Sequence, residues 1–124
     1  MNVTNANVIL TELESLGTEQ ARKTYRRHGV GENVWGVSYS DLGKYQKKIK
    51  TNHEIALDLW ASGIHDAQIL ALMVADPQQA DSATVDKWAT TLNNYVITDA
   101  FAAYVAKTPL ARQKAEEWIK SNHE

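Results

Sequence analysis

The 124-residue sequence contains no cysteine, two prolines and six glycines. Without cysteine, neither a disulfide framework nor a thiolate metal site can form, and we expect an intracellular, cytoplasmic protein. The scarcity of proline and glycine argues against long linkers. We therefore expect residues 1–124 to form a single domain.

Long apolar runs are also missing. No segment approaches the roughly 20 apolar residues that a bilayer span requires, and the N-terminal residues MNVTNAN lack the basic lead and apolar run of a signal peptide. These absences predict a protein with no membrane partner. The alternation of apolar and polar residues that marks a half-buried strand is absent too, so the sequence predicts an all-α protein.

Apolar residues instead recur at helical spacing along most of the chain. The pattern predicts helices at 4–16, 19–28, 38–51, 53–62, 64–75, 83–92, 94–106 and 109–122. The first two helices, within 4–28, precede repeats that span about 38–122 in antiparallel pairs. Such short pairs favour a HEAT-like or armadillo-type solenoid over a compact bundle, although the unit of roughly 30 residues is shorter than the usual 40-odd.

Several residues at the ends of these helices have the chemistry of caps. Ser38, Asn52 and Ser82 are expected to cap the helices that follow them, and Thr108-Pro109 to supply a cap and a first-turn proline for the last helix. The helix at 64–75 is apolar on most sides and should be central. The apolar face of the last helix is either covered by its neighbour or would meet a further repeat.

The charge is unevenly distributed. The whole chain carries −2, but residues 17–50 carry +5 and the remainder −7. The bases of this segment are Arg22, Lys23, Arg26, Arg27, Lys44, Lys47, Lys48 and Lys50. Clustered bases of this kind can contact phosphates even in an acidic chain, whereas the alternative is a pair of solvated helical faces.

The helix at 94–106 carries an aspartate on the side opposite its expected core face. Ile97, Ala100, Phe101 and Tyr104 fall on one side of this helix, which is the natural core face. Tyr95 and Asp99 lie one turn apart on the opposite side. A ring beside a carboxylate can form a floor for a flat, positively charged group; the alternative is an ordinary solvated face with one aspartate.

Most familiar catalytic arrangements can be excluded. The four histidines have no partners at metal-ligand spacing, and the sequence has no glycine-rich phosphate loop, no Gly-x-Ser-x-Gly motif and no thiol. We therefore expect neither a metal nor a cofactor. A lone carboxylate can still stabilise positive charge in a transition state. Cleavage of the N-glycosidic bond to an alkylated purine fits, because the base is already cationic and the sugar becomes oxocarbenium-like.

Three stretches carry a resemblance to a known family. Residues 65–77 (HDAQILALMVADP), preceded by 36–38 (GVS) and 54–60 (EIALDLW), resemble the DNA alkylation repair family of HEAT-like DNA glycosylases. The resemblance implies excision of cationic N3- or N7-alkylated bases from double-stranded DNA that lies along a basic concave face. Its Trp-x-x-x-Asp element matches Tyr95 and Asp99, which implies a catalytic role for Asp99 and a substrate-positioning role for Tyr95.

The basic segment would then supply the contacts to the DNA backbone. The candidates are Lys44, Lys47, Lys48, Arg26 and Arg27.

The sequence also departs from the family pattern. Tyr95 replaces the tryptophan, Val96 stands where a further aspartate is common, and Gln68 stands where a basic residue is expected. The chain has about half of the family's usual length, without the later helices that furnish a second aromatic wall and phosphate-binding arginines. We therefore expect weak, salt-dependent DNA binding, with a homodimer as one way to supply the missing helices. Two hypotheses stay open: a shortened glycosylase, and a non-catalytic helical-repeat module that binds DNA or a protein.

Overall fold

The computed structural model describes residues 6–27, 29–30, 33–90, 92 and 95–122, and every regular element in these ranges is helical. The α-helices are α1 (Ala6–Leu16), α2 (Glu19–Arg27), α3 (Tyr39–Ile49), α4 (His53–Ala61), α5 (His65–Val74), α6 (Ser82–Ala89), α7 (Tyr95–Ala106) and α8 (Ala111–Asn122). A short 3-10 helix, Pro77–Gln79, joins α5 to α6. The all-α prediction is confirmed. None of the described helices is long and apolar enough to cross a membrane.

Helix α5 is the centre of the fold. Eight of its ten residues are buried, and it packs against α1, α3, α4 and α7. A helix that is apolar on most sides needs neighbours on more than one flank, as the sequence predicted for this segment. The rings of Trp60 and Trp88 stack with centroids 4.4 Å apart and join α4 to α6.

The predicted caps are partly confirmed. The Ser38 hydroxyl accepts the N–H of Asp41 at 3.2 Å, and the Asn52 side chain accepts the N–H of Ile55 at 3.0 Å. The prediction for Ser82 is wrong because Asp81 caps α6, with its carboxylate accepting the N–H of Thr84 at 2.8 Å. An anionic oxygen makes the stronger bond to a helix N–H, so Ser82 begins the helix instead.

The last helix begins later than predicted. Thr108 closes the end of α7, where its hydroxyl donates to the carbonyl of Val105 at 2.7 Å and accepts the N–H of Leu110 at 3.2 Å. Residues 107–110 are thereby held in turns, and α8 starts at Ala111.

The segment 33–38 is clamped between α2 and α5. The Asp66 carboxylate, in a residue only 1% exposed, accepts the N–H groups of Trp35 at 2.6 Å and Val37 at 2.8 Å. From the other side, the Tyr25 hydroxyl donates to the carbonyl of Val37 at 2.6 Å, and the Arg22 guanidinium donates to that of Trp35 at 2.9 Å. The start of α3 is fixed as a result.

Glycine permits the close approach of this segment to α2. The N–H of Thr18 donates to the carbonyl of Gly36 at 3.1 Å, and Gly36 has a φ of +81°. A Cβ added to Gly17 would lie 2.0 Å from the carbonyl oxygen of Trp35. A side chain at either glycine would therefore push segment 33–38 away from α2.

A buried lysine fastens α8 to α6. Lys114 is fully buried, and its ammonium donates to the Ser82 hydroxyl at 2.6 Å, to Asp86 at 2.8 Å and to Glu117 at 3.2 Å. The hydrogen bond to Asp86 is the main reason that the pKa of Lys114 is raised, against the opposing effect of burial. The hydroxyl of Ser82 thus accepts from a cation on another helix instead of capping its own.

Candidate nucleic-acid interface

The side chain of Asp99 points away from the core. Ile97, Phe101 and Tyr104 form the buried face of α7, as predicted, which leaves Asp99 exposed on the other side. Within the described part of the chain, no hydrogen bond or ion pair engages its carboxylate. The carboxylate is therefore open to solvent. Tyr95 begins α7, but its side chain lies outside the described residues, so its pairing with Asp99 stays a prediction.

Tyr39 is a described aromatic residue whose phenol is influenced by the Asp99 carboxylate. It is the first residue of α3 and is 49% exposed. Partial burial raises the pKa of its phenol, and the carboxylates of Asp66 and Asp99 raise it further. Sequence reasoning missed Tyr39, since helical spacing places it beside the core face and the effect of Asp99 on its phenol joins segments that are distant in the sequence.

A shallow cavity of about 360 Å³ adjoins Tyr39. Five of its seven lining residues carry hydroxyl groups, and the lining is Thr18, Gln20, Ala21, Thr24, Tyr25, Ser38 and Tyr39. Hydroxyl groups are frequent donors to DNA phosphates and sugars. The hydroxyls of Thr24 and Tyr25 already donate to the carbonyls of Gln20 and Val37. Those of Thr18, Ser38 and Tyr39 are the lining groups that could donate to such a backbone.

Two ring side chains of this region, Tyr25 and His65, are uncharged at neutral pH. The ring of Tyr25 lies 5.6 Å from that of His65. Burial raises the pKa of Tyr25 to about 12, with added contributions from Asp66 and Tyr39. Burial also lowers the pKa of His65, although Asp66 opposes this. Tyr25 lines the cavity, and the ring of His65 packs against it.

The five predicted backbone-contacting bases are all exposed, but their surroundings differ. Lys44 lies 3.6 Å from Asp41, and Arg26 lies 3.7 Å from Glu19. Lys48 sits 5.2 Å from the centre of the Tyr45 ring. For Arg27 and Lys47, no ion pair is formed with any residue of the described ranges.

The bases on α3 lie at different angles around the helix from Tyr39. On α3, Lys47 lies about 80° around the helix from Tyr39, whereas Lys44 and Lys48 lie about 140° and 180° away. Lys48 also rests on Tyr45, whose hydroxyl donates to Glu12 of α1.

The two candidate arginines on α2, Arg26 and Arg27, divide in the same manner. Arg27 lies about 20° from the cavity-lining Gln20, and Arg26 lies about 120° from it. Arg27 and Lys47 are turned least far from Gln20 and Tyr39, which line the cavity, and we call these two bases the groove-side cations. We call Arg26 and Lys48, which are turned farther away, the outer cations.

The histidines and acidic residues that the structure describes do not cluster as metal ligands. Within them, no group of three histidine, aspartate or glutamate side chains is placed to hold a metal ion. His53 begins α4, and its ring nitrogen accepts the N–H of Asp76 at 3.3 Å. His65 begins α5 and is buried, while His28 and His123 lie outside the described residues.

A solved structure defines the class of the fold. It superposes with a TM-score of 0.88 and 33% sequence identity over 95% of this chain and 51% of its own. That protein is described as one of a new family related to the HEAT-like repeat DNA glycosylases, with affinity for branched DNA structures. The predicted HEAT-like fold is thereby confirmed.

The family follows from the sequence itself. The family model described as DNA alkylation repair enzyme matches residues 9–124, and the chain belongs to this family. Proteins of Listeria innocua and Listeria monocytogenes, both described as uncharacterised, are each 28% identical over 120 residues, which cover 92% of this chain and 54% of theirs. The chain thus spans about half the length of the curated relatives that it matches.

Proposed function

We propose that the protein binds DNA along the surface that carries Asp99 and Tyr39, and hydrolyses the N-glycosidic bond of purines alkylated at N3 or N7. The observation that carries this proposal is the exposed carboxylate of Asp99, which is free of hydrogen-bonded and ionic partners in the described ranges. Membership of the DNA alkylation repair family supports it. An exposed carboxylate can be reached by a ligand.

The reaction needs few catalytic groups from the protein. The alkylated base carries a positive charge and leaves with the electrons of its bond to C1′, which neutralises it without a general acid. The sugar develops oxocarbenium character as this bond breaks. Asp99 stabilises that charge and orients the water that attacks C1′, whose proton passes to the carboxylate or to solvent. Tyr95, one turn before Asp99, positions the base by stacking.

The basic residues of α2 and α3 contact phosphates in this proposal. The groove-side cations Arg27 and Lys47 are the nearest candidates, with Lys44 and the outer cations at the margin. Phosphate contacts are released by salt. We therefore expect binding to weaken steeply as the salt concentration rises.

Release of methylated bases tests the proposal. Alkylated duplex DNA is incubated with the native protein, with Asp99→Asn and with Asp58→Asn, an exposed acid on α4 that serves as the matched control. We expect release of 7-methylguanine or 3-methyladenine by the native protein and by the control, and a loss of about 100-fold in Asp99→Asn. No release by the native protein, or equal release by Asp99→Asn, would contradict a catalytic role.

A second candidate function is non-catalytic binding of branched DNA. It is favoured by the solved relative, whose description states an affinity for branched DNA structures. The two functions are separated by comparing affinity for a four-way junction with affinity for a duplex of the same sequence. Preference for the junction without base release from alkylated DNA would establish the binding function in place of the glycosylase.

A further inference from the structure

We propose that the DNA backbone comes closest to the protein at Gly43 in α3, where the Lys47 ammonium and the Ser40 hydroxyl hold a phosphate against the bare surface of the helix. This inference rests on the DNA binding in the proposed function. It applies to both candidate functions, because each requires contact with a DNA strand. It gives the basic segment a particular point of contact, at a residue that carries no charge.

Gly43 is the one glycine inside a helix of the part of the chain that the structure describes. Gly17, Gly29 and Gly63 follow the ends of helices, where glycine is common. Gly43 instead lies in the middle of the eleven-residue helix α3. Glycine at such a position lowers stability relative to alanine, because it loses more conformational freedom on folding. Its presence in α3 therefore has a cost.

The described structure does not require a glycine at this position. The φ of Gly43 is negative, so alanine could adopt the same backbone conformation. A Cβ built on Gly43 would meet no described atom within 4 Å, apart from its chain neighbours and the backbone of its own helix. The missing side chain thus makes no room for another part of the protein. The space is open on the outside, where it lets a ligand approach the helix backbone closely.

Gly43 faces away from the core, on the side that carries Lys47. It lies about 130° around the helix from the middle of the buried face formed by Leu42 and Tyr45. Lys47 and Ser40 lie about 40° and 60° from Gly43, both in the same direction. Helical side chains lean towards the N-terminus, so the side chain of Lys47, one turn later, extends over the turn that contains Gly43.

The polar groups around Gly43 are open to solvent. Ser40 and Lys47 are exposed, and neither has a hydrogen-bonded or ionic partner among the described residues. Lys44, the next residue along α3, lies 3.6 Å from Asp41, and its side chain is 70% exposed. An exposed ion pair of this kind contributes little stability. Lys44 can therefore exchange Asp41 for a phosphate at small cost.

A phosphate of DNA fits this surface. Ammonium and hydroxyl groups both donate hydrogen bonds to phosphate oxygens, and the charges of Lys44 and Lys47 favour an anion. The missing Cβ lets the strand rest on the helix itself, within reach of a short hydroxyl such as that of Ser40. One turn before Gly43, Tyr39 lines the hydroxyl-rich cavity beside α2. A strand that crosses Gly43 can therefore continue along that surface.

Filling the open space tests the inference. Gly43→Leu adds a bulky side chain and Gly43→Ala adds a methyl group, both without a change of charge. Ala61→Leu is the matched control, at the exposed alanine that ends α4. The probes are an unmodified DNA duplex and a four-way junction. The readouts are the dissociation constant between about 50 and 200 mM salt and the melting temperature of the free protein.

We expect Gly43→Leu to weaken DNA binding about 10-fold and Gly43→Ala about threefold, because the phosphate loses a hydrogen bond that involves charge. The slope of log K against log salt should fall by about one in Gly43→Leu, which corresponds to one lost phosphate contact. Both variants should melt about 2 to 5 °C above the native protein, since an interior glycine is replaced. Ala61→Leu should match the native protein in affinity and slope.

A double-mutant cycle tests which lysine holds the phosphate. If Gly43 and Lys47 serve the same phosphate, Gly43→Leu should add little to the loss caused by Lys47→Ala. It should add in full to the loss caused by Lys48→Ala, which lies on the outer side of α3. Full additivity with Lys47→Ala would overturn the assignment of this phosphate to Lys47.

The outcomes separate this inference from the function on which it rests. Native affinity and an unchanged salt slope in Gly43→Leu would overturn the inference and leave the proposed function standing. A lower melting temperature in both Gly43 variants would also overturn it, because a structural role would then explain the glycine. If the native protein binds DNA without releasing a base and Gly43→Leu binds more weakly, the inference stands without the glycosylase. If the native protein binds neither probe, both proposals are overturned.

Discussion

Two aspartates lie on neighbouring helices, Asp66 on α5 and Asp99 on α7, and the fold uses them in opposite ways. Asp66 is 1% exposed and accepts two backbone N–H groups from segment 33–38. Asp99 is exposed and has no hydrogen-bonded or ionic partner among the described residues. Residue type therefore does not separate a structural acid from one available for chemistry. The separation depends on the neighbours that the fold provides.

The difference between Asp66 and Asp99 is tested most directly by neutralising each acid in turn. Asp66→Asn leaves a carboxamide that can accept through one oxygen only, so one of the two buried N–H groups loses its partner. We expect a loss of about 3 kcal/mol in the free energy of unfolding. Asp99→Asn should change it by no more than about 0.5 kcal/mol, as is usual for surface substitutions. Urea-induced unfolding followed by circular dichroism measures both.

Equal stability losses in the two variants would contradict this division of roles. Asp58→Asn, at an exposed position of α4, controls for the loss of a negative charge as such. If Asp66→Asn were as stable as this control, the clamp on segment 33–38 would have no energetic importance.

A second experiment concerns the surface of Asp99 and tests which basic residues contact the same DNA. We expect the double variant Arg27→Ala and Lys47→Ala to reduce the slope of log K against log salt by roughly 2, about one unit for each phosphate contact. The outer pair, Arg26→Ala and Lys48→Ala, removes the same net charge and should change the slope much less. Equal effects would show that charge, and not direction, governs DNA binding.

The smallest expected effect is on the pH dependence of stability and arises from His65, the residue next to Asp66. Burial lowers the pKa of His65 from its usual 6.5, so the unfolded chain binds more protons than the folded protein between that lowered value and pH 6.5. Stability should therefore fall as the pH drops below about 6.5. In His65→Phe this contribution is absent, and the melting temperature should depend less on pH between 7 and 5. An unchanged pH dependence would contradict a buried, neutral His65.

Much of the fold could be predicted from the spacing of apolar residues. The central position of α5 and the core face of α7 follow from local patterns, because burial of a helix face depends on residues within a few turns. The cap of α6 could not be assigned in this way, since Ser82 and Asp81 are adjacent and both suit the position. Their different roles depend on Lys114, whose partners on α6 lie 28 and 32 residues away in the sequence.

Some residues of the candidate site could likewise be predicted from the sequence, and others could not. Asp99 could be selected because helical spacing puts it opposite a core face that the structure confirms. The burial of Asp66 could not be foreseen, since its partners Trp35 and Val37 lie 31 and 29 residues before it. Tyr39 was missed because the effect of Asp99 on its phenol joins segments that are distant in the sequence. Local periodicity contains no information about such contacts.

The central helix has a further consequence for the surface above it. Tyr39 and Asp99 belong to helices that both pack against α5. Because α5 also contacts α1 and α4, a substitution that loosens its packing would disturb all four neighbours at once. The relative placement of the exposed residues on α3 and α7 is therefore set in the interior, by side chains of α5 that are buried.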